Sequence, residues 1–189
     1  HRLAAPDPTR DGRDIRVVDL LDRAAGSLAE GRGGPPEIAA ELHATLASTY
    51  QSLSVFDPAV RHARQAVELR ERLFGPDHEA VAEGLLHLGD ALYGRGDYQE
   101  ALPLLKRALA TFDRLGLGES QGAADGHRYL GEVQNEIGQY EDAEREYRLA
   151  IALYRTLIPE DDEHVAGALN DLAVLLGSRL AYSQAEPLH

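Results

Sequence analysis

Gly96–Leu109 reads "GDYQEALPLLKRAL" and Gly138–Ile151 reads "GQYEDAEREYRLAI". Both begin with Gly, place Tyr two residues on and Ala three further, and return to Ala seven after that. Their charged residues differ. The offset is 42 residues, and it extends in both directions. One column holds Leu46, Leu88, Leu130 and Leu172, and the next Ala47, Gly89, Gly131 and Ala173. An aromatic column holds Phe56, Tyr98, Tyr140 and Tyr182, and an alanine column Ala59, Ala101, Ala143 and Ala185. Aromatics are 6% of the chain. Four in one chosen column arise by chance with a probability on the order of 10⁻⁵, whereas fixed-period self-similarity marks a repeat array.

Each unit reads as two helices. Leu85, Leu88, Gly89 and Leu92 fall on one helical face. Gly94 and Gly96 then interrupt the pattern, and Ala101, Leu105, Ala108 and Phe112 form the face of a second helix. Asp97 with Glu100 three residues later has the spacing of a capping box. Asp57-Pro58 reads as an N-cap followed by a proline at the first helical position. Gly75 and Gly116 stand where second helices should stop. Antiparallel helices approach closely only where side chains are small. Gly89 against Ala101 is the expected contact, with Tyr98 filling the turn.

The expected fold class is therefore all-α, a right-handed solenoid of antiparallel helix pairs. Helices are expected near residues 14–30, 37–53, 58–73, 79–94, 98–114, 122–136, 140–157 and 162–178, with an incomplete helix from Tyr182. Residues 1–12 read as an extended lead, and 13–34 as a capping helix and Gly/Pro linker. Residues 35–189 read as repeats, in units near 37–78, 79–120, 121–162 and 163–189. Ile15, Val18, Leu21 and Leu28 should cover the open face of the first unit, against the helix containing Leu42 and Leu46, because terminal repeats need caps.

Composition narrows the function. The net charge of −13 argues against nucleic acid as a partner. The absence of Cys removes disulfides and thiolate metal sites. No apolar run approaches the ~20 residues of a membrane span. A start at His1 and the lack of any Met suggest a piece of a longer protein.

Leu85-x₂-Leu88-Gly89-x₂-Leu92 followed by Ala101-x₃-Leu105 resembles the tetratricopeptide repeat. The period is similar to that of the kinesin light chain variant. The joint Gly75-Pro76-Asp77-His78 with Val81-Ala82 matches that variant, and Asp162–Ala166 is a looser copy. The joint at Gly118–Gln121 departs from it. "DIRVVDLLDRAAGSL", Asp14–Leu28, followed by "GRGGPP", resembles the segment after the membrane span in bacterial serine/threonine protein kinases that carry C-terminal repeats. That resemblance implies a regulatory or sensor region. The chain itself holds no His-Arg-Asp, Asp-Phe-Gly or Gly-rich phosphate loop.

No catalytic constellation is found, and no cofactor or metal is expected. His43 and His127 share a column but stand two units apart, which reads as packing. His78 and His87 have no paired ligand in sequence. Pro159–His164, "PEDDEH", lacks the spacing of an EF-hand loop.

What remains is the concave groove, which in this repeat family is lined by the first helix of each unit. The expected lining is Glu41, Ala44, Ser48, Gln51 and Ser52, then Glu83, Leu86, Asp90, Tyr93 and Gly94. The third unit adds Asp125, Arg128, Glu132, Asn135 and Glu136, and the fourth Gly167, Asn170, Val174, Gly177 and Ser178. Six acids and one base among these favour a basic or amphipathic peptide. The expected function is protein interaction. The alternative is a ligand-sensing regulatory domain of a transcription regulator or a caspase-like protease. Leu169, Leu172, Ala173 and Leu176 would lack a complete partner helix, so self-association through the C-terminal end is expected.

Overall fold

The computed structural model describes residues 17–28, 33–157 and 162–185. Among these, every regular element is a helix: α1 (Val17–Ser27), α2 (Pro36–Ser52), α3 (Phe56–Phe74), α4 (Glu79–Arg95), α5 (Tyr98–Arg114), α6 (Gln121–Glu136), α7 (Tyr140–Leu157) and α8 (Asp162–Ala185). The extended lead expected over 1–12 and Ile15 lie outside the described residues.

The three complete pairs are α2/α3, α4/α5 and α6/α7, and each packs on the next. First helices also touch along the stack, α2 with α4, α4 with α6 and α6 with α8. That places the first helices on the inner, concave side and α3, α5 and α7 outside. The alanine column Ala59, Ala101 and Ala143 is fully buried, as are Leu85, Leu92, Leu105 and Val133. With so few aromatics, burial of these small side chains is what holds neighbouring units together. Each fully buried Leu contributes about 1.5–3 kcal/mol.

The turns repeat as well. Within each pair the chain reverses through one left-handed residue, Ser54 (φ 57°), Gly96 (φ 90°) and Gly138 (φ 78°), again 42 residues apart. Between pairs, α3 stops at Gly75 (φ 84°), and Gly116 (φ 73°) follows α5. The first residue before α4 and before α6 is an N-cap by side chain. His78 Nδ1 accepts from the Ala80 N–H at 3.2 Å, and Ser120 Oγ from the Ala123 N–H at 3.2 Å. The joint that departs in sequence therefore does the same work.

Three local expectations are corrected. Asp97 makes no side-chain cap bond; its carboxylate pairs with Arg95, while Glu100 pairs with Arg64 and Arg95. An available guanidinium outcompetes a neutral N–H for a carboxylate. Helix α3 begins at Phe56, with Val55 at its N-cap, so Asp57 lies in the first turn. A Cβ at Gly89 would meet Leu105 first. The Tyr98 ring packs on Tyr93 across the α4/α5 turn, with centroids 5.6 Å apart, while Phe56 of the same column lies against Gly94 in the next unit. Tyr98 bonds Glu136, and burial raises its phenol.

The third correction concerns the last unit. No turn separates a second helix near Tyr182; α8 continues to Ala185. Position 180, one period after Gly138, is Leu, which enters the left-handed region only at a cost of about 1–2 kcal/mol.

The cap is partial. Leu28 is buried, and Val18, Leu21 and Ala25 pack on the core beside Leu46 and Tyr50. Leu42, on the helix the cap packs against, is 44% exposed. A shallow apolar cleft of about 270 Å³ remains between α1 and α2 there.

Candidate peptide-binding groove

The concave wall is built from α2, α4, α6 and α8, and its polar side chains link successive units. Gln51 Nε2 of α2 donates to Asp90 Oδ2 of α4. Arg128 Nε of α6 donates to Asp171 Oδ2 of α8 at 2.8 Å, and its Nη2 stands 3.1 Å from Glu132 Oε1. Tyr154 of α7 donates to Asp125 Oδ1 at 2.6 Å. Glu132 and Asp171 thus both pair with the guanidinium of Arg128, and Asp90 lies within its electrostatic reach.

Burial sets the protonation of this wall. Glu132 is pushed up to about 7, because desolvation outweighs the nearby Arg128, with Asp90 and Asp171 adding to the rise. Asp90 is also raised by burial, against the lowering effect of its bond from Gln51. The Tyr93 phenol rises to about 12 through burial and then the carboxylates Glu132 and Glu136. Tyr129 is raised by burial and by Asp90 and Asp125.

Between α4 and α6 lies a cleft of about 290 Å³ lined by Glu83, Leu86, His87, Gln121, Gly122, Asp125 and Tyr129. Leu86 is buried and forms its floor, so it offers less surface than its column position implies. Glu83 is exposed, and Tyr93 and Asn135 are half-buried. Asn170 is exposed on α8, outside this cleft. The sequence reading missed Asp171, Tyr129 and Gln121. Asp171 is one residue from Asn170, and only the stacking angle of α8 brings it to Arg128.

The histidines pair across helices. His43 Nδ1 and His62 Nδ1 are 2.8 Å apart, and His127 Nδ1 is 2.6 Å from Glu146 Oε2. Among the described residues, no three or more His, Asp or Glu are grouped to hold a metal ion, and no helix is long and apolar enough to cross a membrane.

A stack of antiparallel helix pairs with its first helices along a polar concave wall defines a helical repeat protein. The sequence profile of the tetratricopeptide repeat matches residues 38–114, and a second tetratricopeptide repeat profile matches residues 86–158. The chain belongs to the tetratricopeptide repeat proteins, with kinesin light chain-like relatives. As a class these repeats are protein–protein interaction modules. Protein KINESIN LIGHT CHAIN-RELATED 1 of Arabidopsis thaliana is 32% identical over 155 residues, covering 75% of this chain. The RxLR effector protein SFI4 of Phytophthora infestans is 24% identical over 140 residues, covering 67%. The chain spans 24% of the first and 41% of the second. The fold matches the crystal structure of BtubC (BKLC) from P. vanneervenii, with TM-score 0.71 and 19% identity over 95% of this chain and 71% of that one. It also matches a putative kinesin light chain of Podosopora anserina, with TM-score 0.69 and 17% identity over 95% and 86%.

Proposed function

We propose that the concave groove binds a segment of another protein that carries Lys or Arg side chains. The observation that supports this is the excess of carboxylate on the wall: Glu132 and Asp171 both pair with the guanidinium of Arg128, and Asp90 stands within its electrostatic reach. An arriving cation would add the charge that this half-buried wall lacks. Glu83 would widen the acidic approach, the Leu86 floor and Tyr93 would give apolar contact, and Asn135 and Asn170 are placed to bond a peptide backbone. The repeats act by binding rather than by catalysis in this reading.

A peptide array of Lys/Arg-rich and Glu/Asp-rich sequences tests it. The basic set should bind, weaken with salt because exposed charges are screened beyond about 8–10 Å, and lose affinity on Asp90→Lys with Glu132→Lys. Equal binding of the acidic set would reject the electrostatic reading.

The setting we infer is the regulatory or sensor region of a larger signalling protein, on the resemblance of Asp14–Leu28 to the bacterial kinase segment. The coding sequence upstream of His1 tests this, since a kinase catalytic domain should be encoded there.

We further infer self-association through α8. Leu169 is 40% exposed where its column mate Leu85 is 1% exposed. Leu172 and Leu176 are half-buried where Leu88 and Leu92 are buried. Light scattering at rising concentration should show a dimer, and a strictly monomeric chain would reject it.

A further inference from the structure

One position in the repeat changes character from unit to unit. The pair of columns joining first and second helices holds His43 and His62 in the first unit, Leu85 and Leu104 in the second, and His127 and Glu146 in the third. The second is apolar. In the third, an imidazole nitrogen faces a carboxylate oxygen at 2.6 Å. The first is the unusual one, because two imidazoles confront each other through Nδ1 atoms 2.8 Å apart, both only 8% exposed.

That contact requires one N–H and one lone pair. A second proton leaves two N–H groups face to face and two like charges in a buried site. The consequences reach α1 through Tyr50. The Tyr50 ring is stacked on His62, with centroids 5.7 Å apart and planes at 4°. Its hydroxyl donates to Asp22 Oδ1 of α1 at 2.6 Å. Val18, Leu21, Ala25 and Leu28 of α1 also pack on the core.

We propose that the His43–His62 pair is an acid-operated latch on the N-terminal end of the solenoid: when both imidazoles are cationic the pair parts, the Tyr50 stack is lost, and α1 separates from α2. The charged groups acting on the pair are Asp22 from α1, which favours a cation, and Arg61 on α3, which opposes it. Burial dominates both and holds His43 below its ordinary value, and for His62 the neighbouring His43 adds to burial and holds it down to about 4. The sign follows. The closed state resists protons that the open state accepts from about 6.5 downward, so closure weakens as pH falls from 6.5 towards 4. For His62 alone the opening constant rises about tenfold per pH unit in that window, roughly 100-fold by pH 4.5. The carboxylates raised in the groove respond oppositely, which makes the effect local to the first unit.

Hydrogen exchange on the whole chain at pH 7, 6 and 5, corrected for intrinsic rates, tests the latch. Opening of residues 17–28 and 36–52 should rise about tenfold per unit below pH 6.5, while 121–157 stays protected. His43→Leu with His62→Leu installs the pair of the second unit and should abolish the response. His62→Glu installs the pair of the third unit and should do the same. An acid response that survives in the double variant, or its absence in the unaltered chain, overturns the proposal. If neither variant folds, NMR titration of the unaltered chain decides: both rings titrating near 6.5 would overturn it, and depressed titration accompanied by changes in α1 would support it.

Discussion

Gly89 and Leu105 compete for one volume: a Cβ at position 89 would lie 2.5 Å from Leu105 Cδ2 and 2.7 Å from its Cγ. In the next unit Gly131 stands in the same way against Tyr147, with a Cβ 2.8 Å from Cε1 and 3.3 Å from the Ala143 carbonyl oxygen. In the first unit the same two columns hold Ala47 and Ala63, both buried. A larger residue on the second helix goes with a smaller one on the first.

Gly89→Ala should therefore destabilise the chain by about 1–3 kcal/mol through overpacking, read as a lower midpoint in thermal unfolding. Adding Leu105→Ala recreates the first unit's pair. The double variant should be less destabilised than the sum of the single changes by at least about 0.5 kcal/mol. Strict additivity in this cycle would show that the two positions do not share a volume.

Ser54 carries the left-handed turn that Gly96 and Gly138 carry in later units. A side chain there is strained. Ser54→Gly should relieve the strain and stabilise the first unit by about 0.5–1 kcal/mol, after the added backbone entropy of glycine is subtracted. Calorimetry should show a small upward shift in melting temperature. A downward shift would mean that the serine side chain contributes more than its conformation costs.

Glu132 supplies a pH dependence of the groove. Its folded pKa of about 7 lies above the ordinary carboxylate value, so the folded state holds a proton that the unfolded state has released. Stability from this group is present at low pH and is lost as pH rises through about 7. Glu132→Gln should raise the melting temperature at pH 8 and change it little at pH 5. Equal effects at both pH values would place the ionised carboxylate in a well-compensated environment.

The same group links binding to protons. A cation entering the groove favours the ionised form of Glu132, so a basic peptide should release part of a proton at pH 7. Titration calorimetry in two buffers of different ionisation enthalpy measures this directly. Glu132→Gln should remove the buffer dependence, and a release that persists in that variant would assign the proton to another group.

The sequence by itself determined the helices, their order and most of their ends. Those features depend on contacts made in the same way in every unit, so they recur in columns: alanines where helices cross, leucines on the buried face, and a residue tolerant of positive φ in the turn. Even the extension of α8 past Leu180 had a trace in the sequence, because the turn column loses its glycine there. What the tertiary structure decided is the set of contacts between columns. Gln51 meets Asp90 and Arg128 meets Asp171 because neighbouring units stack with a particular offset, which spacing of 42 does not encode. Asp97 abandons its cap for Arg95, and His43 finds His62, because a side chain takes the strongest partner within reach after packing. Long polar side chains choose among several partners separated by a few ångströms, while small apolar ones have a single place to go. That is why the scaffold could be read along the chain, and the wall of the groove only in three dimensions.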